Sequence, residues 1–213
     1  MKIAIELNNV IRDINTQMLD YYVKDFDKSF NKNSVDKNTY EFIEQIPFEN
    51  KTIRDKFLYE DYVYEVFGCA GTYGMHLPNS INNWHIDNKS NHEFLVFSLG
   101  ESGLSIQSSY FFLSKIGCKI REVFFPKKYK DLWDKCDVII TANQNIARNK
   151  PNDKYVVLIK TNDNKKYRYK ADLVYDSLND IILDDDFFKK LKLNRKNKKN
   201  IFKTVFSLFK KNN

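Results

Sequence analysis

The chain has 213 residues, 42% hydrophobic and 15% aromatic, enough apolar surface for a folded core, which excludes a wholly disordered protein. Its formal net charge of +7 is unevenly spread: ten basic residues and no acidic one fall between Lys189 and Asn213, so +7 less ten leaves −3 for residues 1–188. Cys69, Cys118 and Cys136 form no CxxC pair and have no histidine at zinc-site spacing, which argues for free thiols in a reducing compartment.

Lys2-Ile3-Ala4-Ile5 is an apolar-rich strand, with Glu6 and Asn8 flanking Leu7 at its carboxyl end. Ile14, Met18, Tyr21, Tyr22, Phe26 and Phe30 recur at a spacing near 3.6 and predict a helix over 13–30, followed by a polar loop over 31–39. A second helix is expected over 52–67. The turn Gly68 to Gly74 that follows lacks the strand-to-helix context of a phosphate loop.

Phe94 to Ser98 reads as a buried strand, 105–116 as a helix, Lys119 to Phe125 as a strand and 129–135 as a short helix. Strands are expected at Asp137 to Thr141 and Lys154 to Lys160. Tyr155 to Tyr169, with Asn162-Asp163-Asn164 at its middle, predicts an antiparallel edge hairpin. Strands alternating with helices give an α/β class: a three-layer, Rossmann-like parallel sheet with helices on both faces.

On these residues the chain resembles the haloacid dehalogenase-like superfamily, whose first motif is an apolar strand followed by Asp-x-Asp. The resemblance implies a dehalogenase-like domain over 1–190, a helical cap-type insertion over 13–92 and a separate tail over 191–213. In that family the first Asp attacks phosphorus and binds magnesium, and the second is general acid and base. Glu6 and Asn8 stand in those places here. Glu6 keeps the charge but is one methylene longer, and a displacement of roughly 1 Å can cost about a hundredfold in rate. Asn8 exchanges no proton near neutral pH.

The second motif, a Ser or Thr ending the next core strand, is matched by Ser98, and Lys127, Lys128 and Lys130 are candidates for the third motif's lysine. The fourth, an acidic pair, is replaced by Thr141-Ala142-Asn143. Magnesium is usually held through one or two carboxylates, and only Glu6 remains. The resemblance therefore implies a fold retained and a reaction abandoned. Glu6, Asn8, Ser98, Thr141 and Asn143 are degenerate motif positions with no catalytic residue, metal or cofactor expected.

His76, His85 and His92 have spacings that fit no ligand pattern and read as polar loop residues. Asp172, Asp176 and Asp180, at i, i+4 spacing, read as one solvated helix face, and Asp184 to Asp186 as another acidic helix surface. In the tail, Ile201, Phe202, Val205, Phe206, Leu208 and Phe209 recur at helical spacing beside Lys203, Lys210 and Lys211, after a polar linker over 194–200. A short helix alone in water is marginal, so this one needs a surface. Binding phosphates explains the lysines but leaves the aromatics exposed, which favours a protein partner over nucleic acid or a membrane.

No apolar leader precedes the first strand and no run of about 18 apolar residues occurs, so synthesis and retention in a cytoplasm, or packing there into a larger particle, is expected. In composition and size the chain is similar to proteins of crAss-like tailed phages. That resemblance implies a virion structural subunit, part of a homo-oligomeric portal–tail ring docked onto other protein subunits through Ile201, Phe202, Val205, Phe206, Phe209, Lys203 and Lys210. The alternative is a magnesium-dependent phosphohydrolase of the 5′-nucleotidase type acting through atypical motif residues.

Overall fold

The computed structural model describes residues 1–193. The basic amphipathic segment read from the sequence, including Ile201 to Lys211, lies outside the described residues. Strand β1 (Lys2–Glu6) is followed by β2 (Arg12–Asp13) and helix α1 (Ile14–Asp25). Helix α2 (Lys51–Lys56), β3 (Gly71–Thr72) and helix α3 (Leu77–Asn88) complete the segment before β4 (Glu93–Phe97). Then come α4 (Leu104–Lys115), β5 (Glu122–Phe124), α5 (Tyr129–Lys135) and β6 (Val138–Thr141). Helix α6 (Gln144–Arg148), β7 (Tyr155–Ile159), β8 (Leu173–Tyr175) and α7 (Leu178–Ile182) follow, and residues 187–193 are again helical.

The six long strands form one parallel sheet in the order β5-β4-β1-β6-β7-β8. Their near-continuous apolar runs follow from burial on both faces. Because side chains alternate across a strand, Ile3, Ile5, Val96 and Ile140 face α3, α4 and α7, whereas Ala4, Leu95, Ile139 and Val156 face α5 and α6. Leu113 and Trp84 close the first layer, Leu132 and Trp133 the second. A third apolar cluster, with Met18, Leu19, Phe42, Phe57 and Val66, is built within residues 14–67.

The predicted α/β class stands, with local differences. The helix expected over 13–30 ends at Asp25, and Asp184 to Asp186 form a turn rather than a helix surface, Asp184 accepting from Tyr175 O–H and Lys190. The helix expected over 52–67 keeps α-geometry only to Lys56 and continues as two π-helical turns, Phe57–Asp61 and Tyr64–Gly68. A wider turn lets Phe57, Val66 and Phe67 all reach the interior from a segment too crowded with aromatics for one regular stripe. The expected edge hairpin at Tyr155 to Tyr169 is absent: the chain leaves β7, crosses through a 3₁₀ turn (Lys165–Lys170) and returns in β8, parallel to β7. The small antiparallel pair is β2 with β3. Nor do Asp172, Asp176 and Asp180 share a helix face, since Asp172 precedes β8, Asp176 follows it and only Asp180 lies in α7. Asp172 instead accepts hydrogen bonds from Val156 N–H (2.9 Å) and Lys150 (2.8 Å).

Asn9 turns the chain between β1 and β2 with φ of 61°. Ile11 N–H and Arg12 N–H both donate to Leu7 O, folding Arg12 back under Asn8. Asparagine tolerates this left-handed conformation better than residues with larger or branched side chains. Asn9→Gly keeps this turn but loses the side-chain bonds to Tyr40 O and from Tyr73 O–H; Asn9→Ala loses them too and is expected to cost about 1 kcal/mol more than Asn9→Gly, read from urea unfolding midpoints.

Candidate functional site

Strand order reverses at β1, which lies between β4 and β6, so the carboxyl ends of three strands meet where α/β sheets gather ligands. Glu6 ends β1, Ser98 follows β4 and Thr141 ends β6. The topology thus brings Glu6, Asn8, Ser98, Thr141 and Asn143 to one sheet edge, as their order in the sequence anticipated. Lys127, Lys128 and Lys130 are exposed after β5.

Glu6 is 1% exposed and its carboxylate is surrounded by donors. Oε2 accepts from Thr141 O–H and from Ala142 N–H (3.1 Å), and Oε1 accepts from Tyr40 O–H (2.8 Å). Burial pushes the Glu6 carboxyl up to about 7, against the opposing pull of the bonds from Thr141, Tyr40 and the backbone. Burial and the Glu6 charge together raise the Tyr40 phenol well above its ordinary range. Asn143 caps α6, its Oδ1 accepting from Asn145 N–H (2.8 Å), while its own N–H donates to Thr141 Oγ1 (2.9 Å).

Beside this clamp lies a second buried network. Asn8 Nδ2 donates to Ser98 Oγ (3.0 Å) and Glu101 Oε1 (3.3 Å), and its Oδ1 accepts from Arg12 Nε (2.9 Å). Arg12, fully buried, pairs with Glu101 at 2.7 Å and donates to Phe67 O (2.7 Å) and Ser109 Oγ (2.8 Å). Its guanidinium also stands 5.1 Å and 5.3 Å from the ring centroids of Phe67 and Phe112. Ser98 O–H and Ser109 O–H complete the Glu101 carboxylate. Burial lowers the Arg12 pKa and Glu101 opposes the shift. The loop can aim Glu101 inward because Gly100 (φ 82°) and Gly103 (φ 56°) take left-handed conformations on either side of it.

A cleft of about 190 Å³ opens over Asn8 and Glu101, walled by Tyr40, Ile43, Leu58 and Tyr59; Glu6 is not among its lining residues. Magnesium, which the sequence resemblance implies for an active member, does not fit these residues. A cation at Glu6 would face the O–H and N–H donors of Thr141, Tyr40 and Ala142, and Asn143 Oδ1 is already committed to α6. Among the described residues no group of three or more His, Cys, Asp or Glu is placed to hold a metal.

No protein-family model matches the sequence, and no curated protein is significantly similar to it. Among the solved structures to which the chain is similar is that of a proposed haloacid dehalogenase-like hydrolase from Burkholderia xenovorans LB400, which superimposes with a TM-score of 0.55 at 11% identity, covering 89% of this chain and 97% of that one. The fold is haloacid dehalogenase-like. The histidines play no part in this site: His76, in an exposed turn, and His92, between α3 and β4, are loop residues as expected, whereas His85 is not. His85 lies in α3 with its ring edge-on to Phe94, and His92 stacks on Phe188 at 4.2 Å.

Sequence reasoning missed Tyr40, Arg12, Glu101 and Ser109. Tyr40 adjoins a loop read only as polar, and Arg12 sits in an apolar run where its partner, 89 residues away, is invisible. Glu101 carried a usable signal, being a carboxylate between glycines just past the end of a core strand.

Removing one partner of the Arg12–Glu101 pair strands the other charge. Arg12→Ala or Glu101→Ala is expected to cost about 3–5 kcal/mol, with the double replacement Arg12→Met, Glu101→Leu costing far less than the sum, measured by chemical denaturation.

Glu6 gives a pH signature. Its folded pKa lies above the unfolded value, so its contribution is complete below about pH 4.5 and is lost as pH rises through 7. Glu6→Gln keeps the acceptor for Thr141 and Ala142 and a neutral group toward Tyr40. The variant should equal the wild type near pH 4.5 and exceed its stability by about 3 kcal/mol at pH 8–9, read from melting curves across that range.

Proposed function

We propose that this chain is a non-catalytic dehalogenase-like domain whose motif positions have become internal fastening, and that it serves as a structural subunit of an assembly. The observation that carries this reading is the Glu6 carboxylate, which stands at the nucleophile position with three donors on its two oxygens. Those donors tie β1 to β6 and, through Tyr40, to the segment between β1 and β4. In-line attack on phosphorus requires a free carboxylate oxygen facing the substrate. Freeing one here breaks contacts between three parts of the fold. Asn8, at the position of the acid and base, has its amide committed to Ser98, Glu101 and Arg12.

The place of such a subunit in a phage virion, docking through the basic tail into a ring, is the finer part of the proposal. Its support is the tail's composition, ten cations without an acid beside an apolar repeat, together with the resemblance in size and residue usage. Under it, native mass measurement gives multiples of the chain mass, and a strict monomer at all concentrations contradicts it.

With magnesium and deoxynucleoside monophosphates or p-nitrophenyl phosphate, the purified protein is expected to release no phosphate above a buffer blank. Turnover that disappears in Glu6→Gln would overturn the non-catalytic reading and favour the phosphohydrolase.

A further inference from the structure

The π-helical turns and the helix α4 packed on them expose apolar side chains near several acidic residues. Tyr59 and Tyr64, on the π-helical turns, are 42% and 47% exposed, and Leu104 and Phe111 on α4 are 52% and 41% exposed. The Tyr64 and Phe111 rings meet at 5.1 Å, joining turn to helix, and Leu104 lies two turns from Phe111 on the same side of α4. Gly68 permits this approach, since a Cβ there would stand 3.2 Å from Phe111 and 3.3 Å from Tyr64. The stretch 55–65 that carries the two tyrosines holds Asp55, Glu60, Asp61 and Glu65 against the single cation Lys56. Asp55 lies beside Arg54 and Asp61 beside Lys56, both in solvent-facing pairs. An apolar ridge of this kind with an acidic border marks a contact surface.

The segment 201–211 has the converse chemistry, with Phe202, Val205, Phe206 and Phe209 interleaved with Lys203, Lys210 and Lys211 and no acid. We infer that the ridge of Tyr59, Tyr64, Leu104 and Phe111 receives the basic C-terminal segment of a second copy of this chain. The inference rests on the assembly reading above and adds where the tail lands.

A second copy is favoured by reach. The described fold ends at Leu193, just after Phe188 packs on Trp84 and His92 beside the amino end of β4, whereas Leu104 follows that strand's carboxyl end. Getting there means passing the length of the sheet, about 16 Å for five residues, and crossing α3 and α4 at about 8–10 Å each. The seven-residue linker 194–200 spans at most about 25 Å when taut. A tail-to-ridge contact between copies is head-to-tail, and such contacts close into rings or run on as filaments.

The test is sedimentation velocity on the full chain over a wide concentration range. Glu60→Lys with Asp61→Lys and Glu65→Lys, at exposed or half-buried sites, is expected to weaken self-association by about tenfold or more, as is Lys203→Glu with Lys210→Glu and Lys211→Glu. Combining both sets should restore association, and unchanged melting temperatures of the single sets show that folding is intact. If the tail set abolishes association while the ridge set has no effect, the tail docks elsewhere: this inference fails and the assembly reading survives. A wild-type chain that stays monomeric throughout overturns both.

Discussion

Sealing an ionisable group at the end of the central strand imposes a cost that the surrounding fold has to meet. Glu6 cannot be hydrated, so each lone pair it presents must be answered from within, and Thr141, Ala142 and Tyr40 supply the answers from two other parts of the chain. Tyr40 is held in turn where its N–H and that of Glu41 donate to Asp163, on the crossover after β7. One side chain thereby couples β1, β6, the β7–β8 connection and the loop within the third apolar cluster. The compensation is incomplete, which is why the carboxyl remains partly protonated near neutrality.

Arg12 and Glu101 apply the same logic to a pair of opposite charges. Burying an ion pair is seldom a net gain over apolar packing, but losing one member is costly, so the pair enforces a single arrangement of β2, the loop after β4 and helix α4. Asn8 bridges this pair to Ser98 and sits at the floor of the cleft. The carboxyl ends of β1, β4 and β6 are thus occupied by two neighbouring polar networks whose bonds run mostly among the protein's own groups. On the proposed reading, the space where phosphate chemistry would occur contributes rigidity, and interaction with partners falls to outer surfaces and the tail.

The sheet was legible because its signal is local: apolar runs such as Val138 to Ile140, buried on both faces, are visible without knowing their neighbours. The positions of Glu6, Ser98 and Thr141 followed once strand order was fixed. What escaped were features decided by topology. The direction of β8 depends on a crossover that an Asn-Asp-Asn turn disguises as a hairpin. The pairing of Arg12 with Glu101 depends on two chain reversals, and the π-helical turns on the crowding of aromatic side chains around Phe57. Asp172 shows the same limit, since its spacing from Asp176 suggested a solvated helix while the fold made it an internal acceptor for β7.

The central claim is that Glu6 is an internal acceptor rather than a nucleophile, and its own titration decides the matter. With ¹³C-labelled glutamate, the Glu6 Cδ resonance, assigned by its loss in Glu6→Gln, can be followed by NMR across pH 4–9 with and without magnesium and inorganic phosphate. The account predicts a midpoint at about 7 that neither addition moves. A midpoint in the ordinary carboxylate range, shifted further down by magnesium, would contradict it.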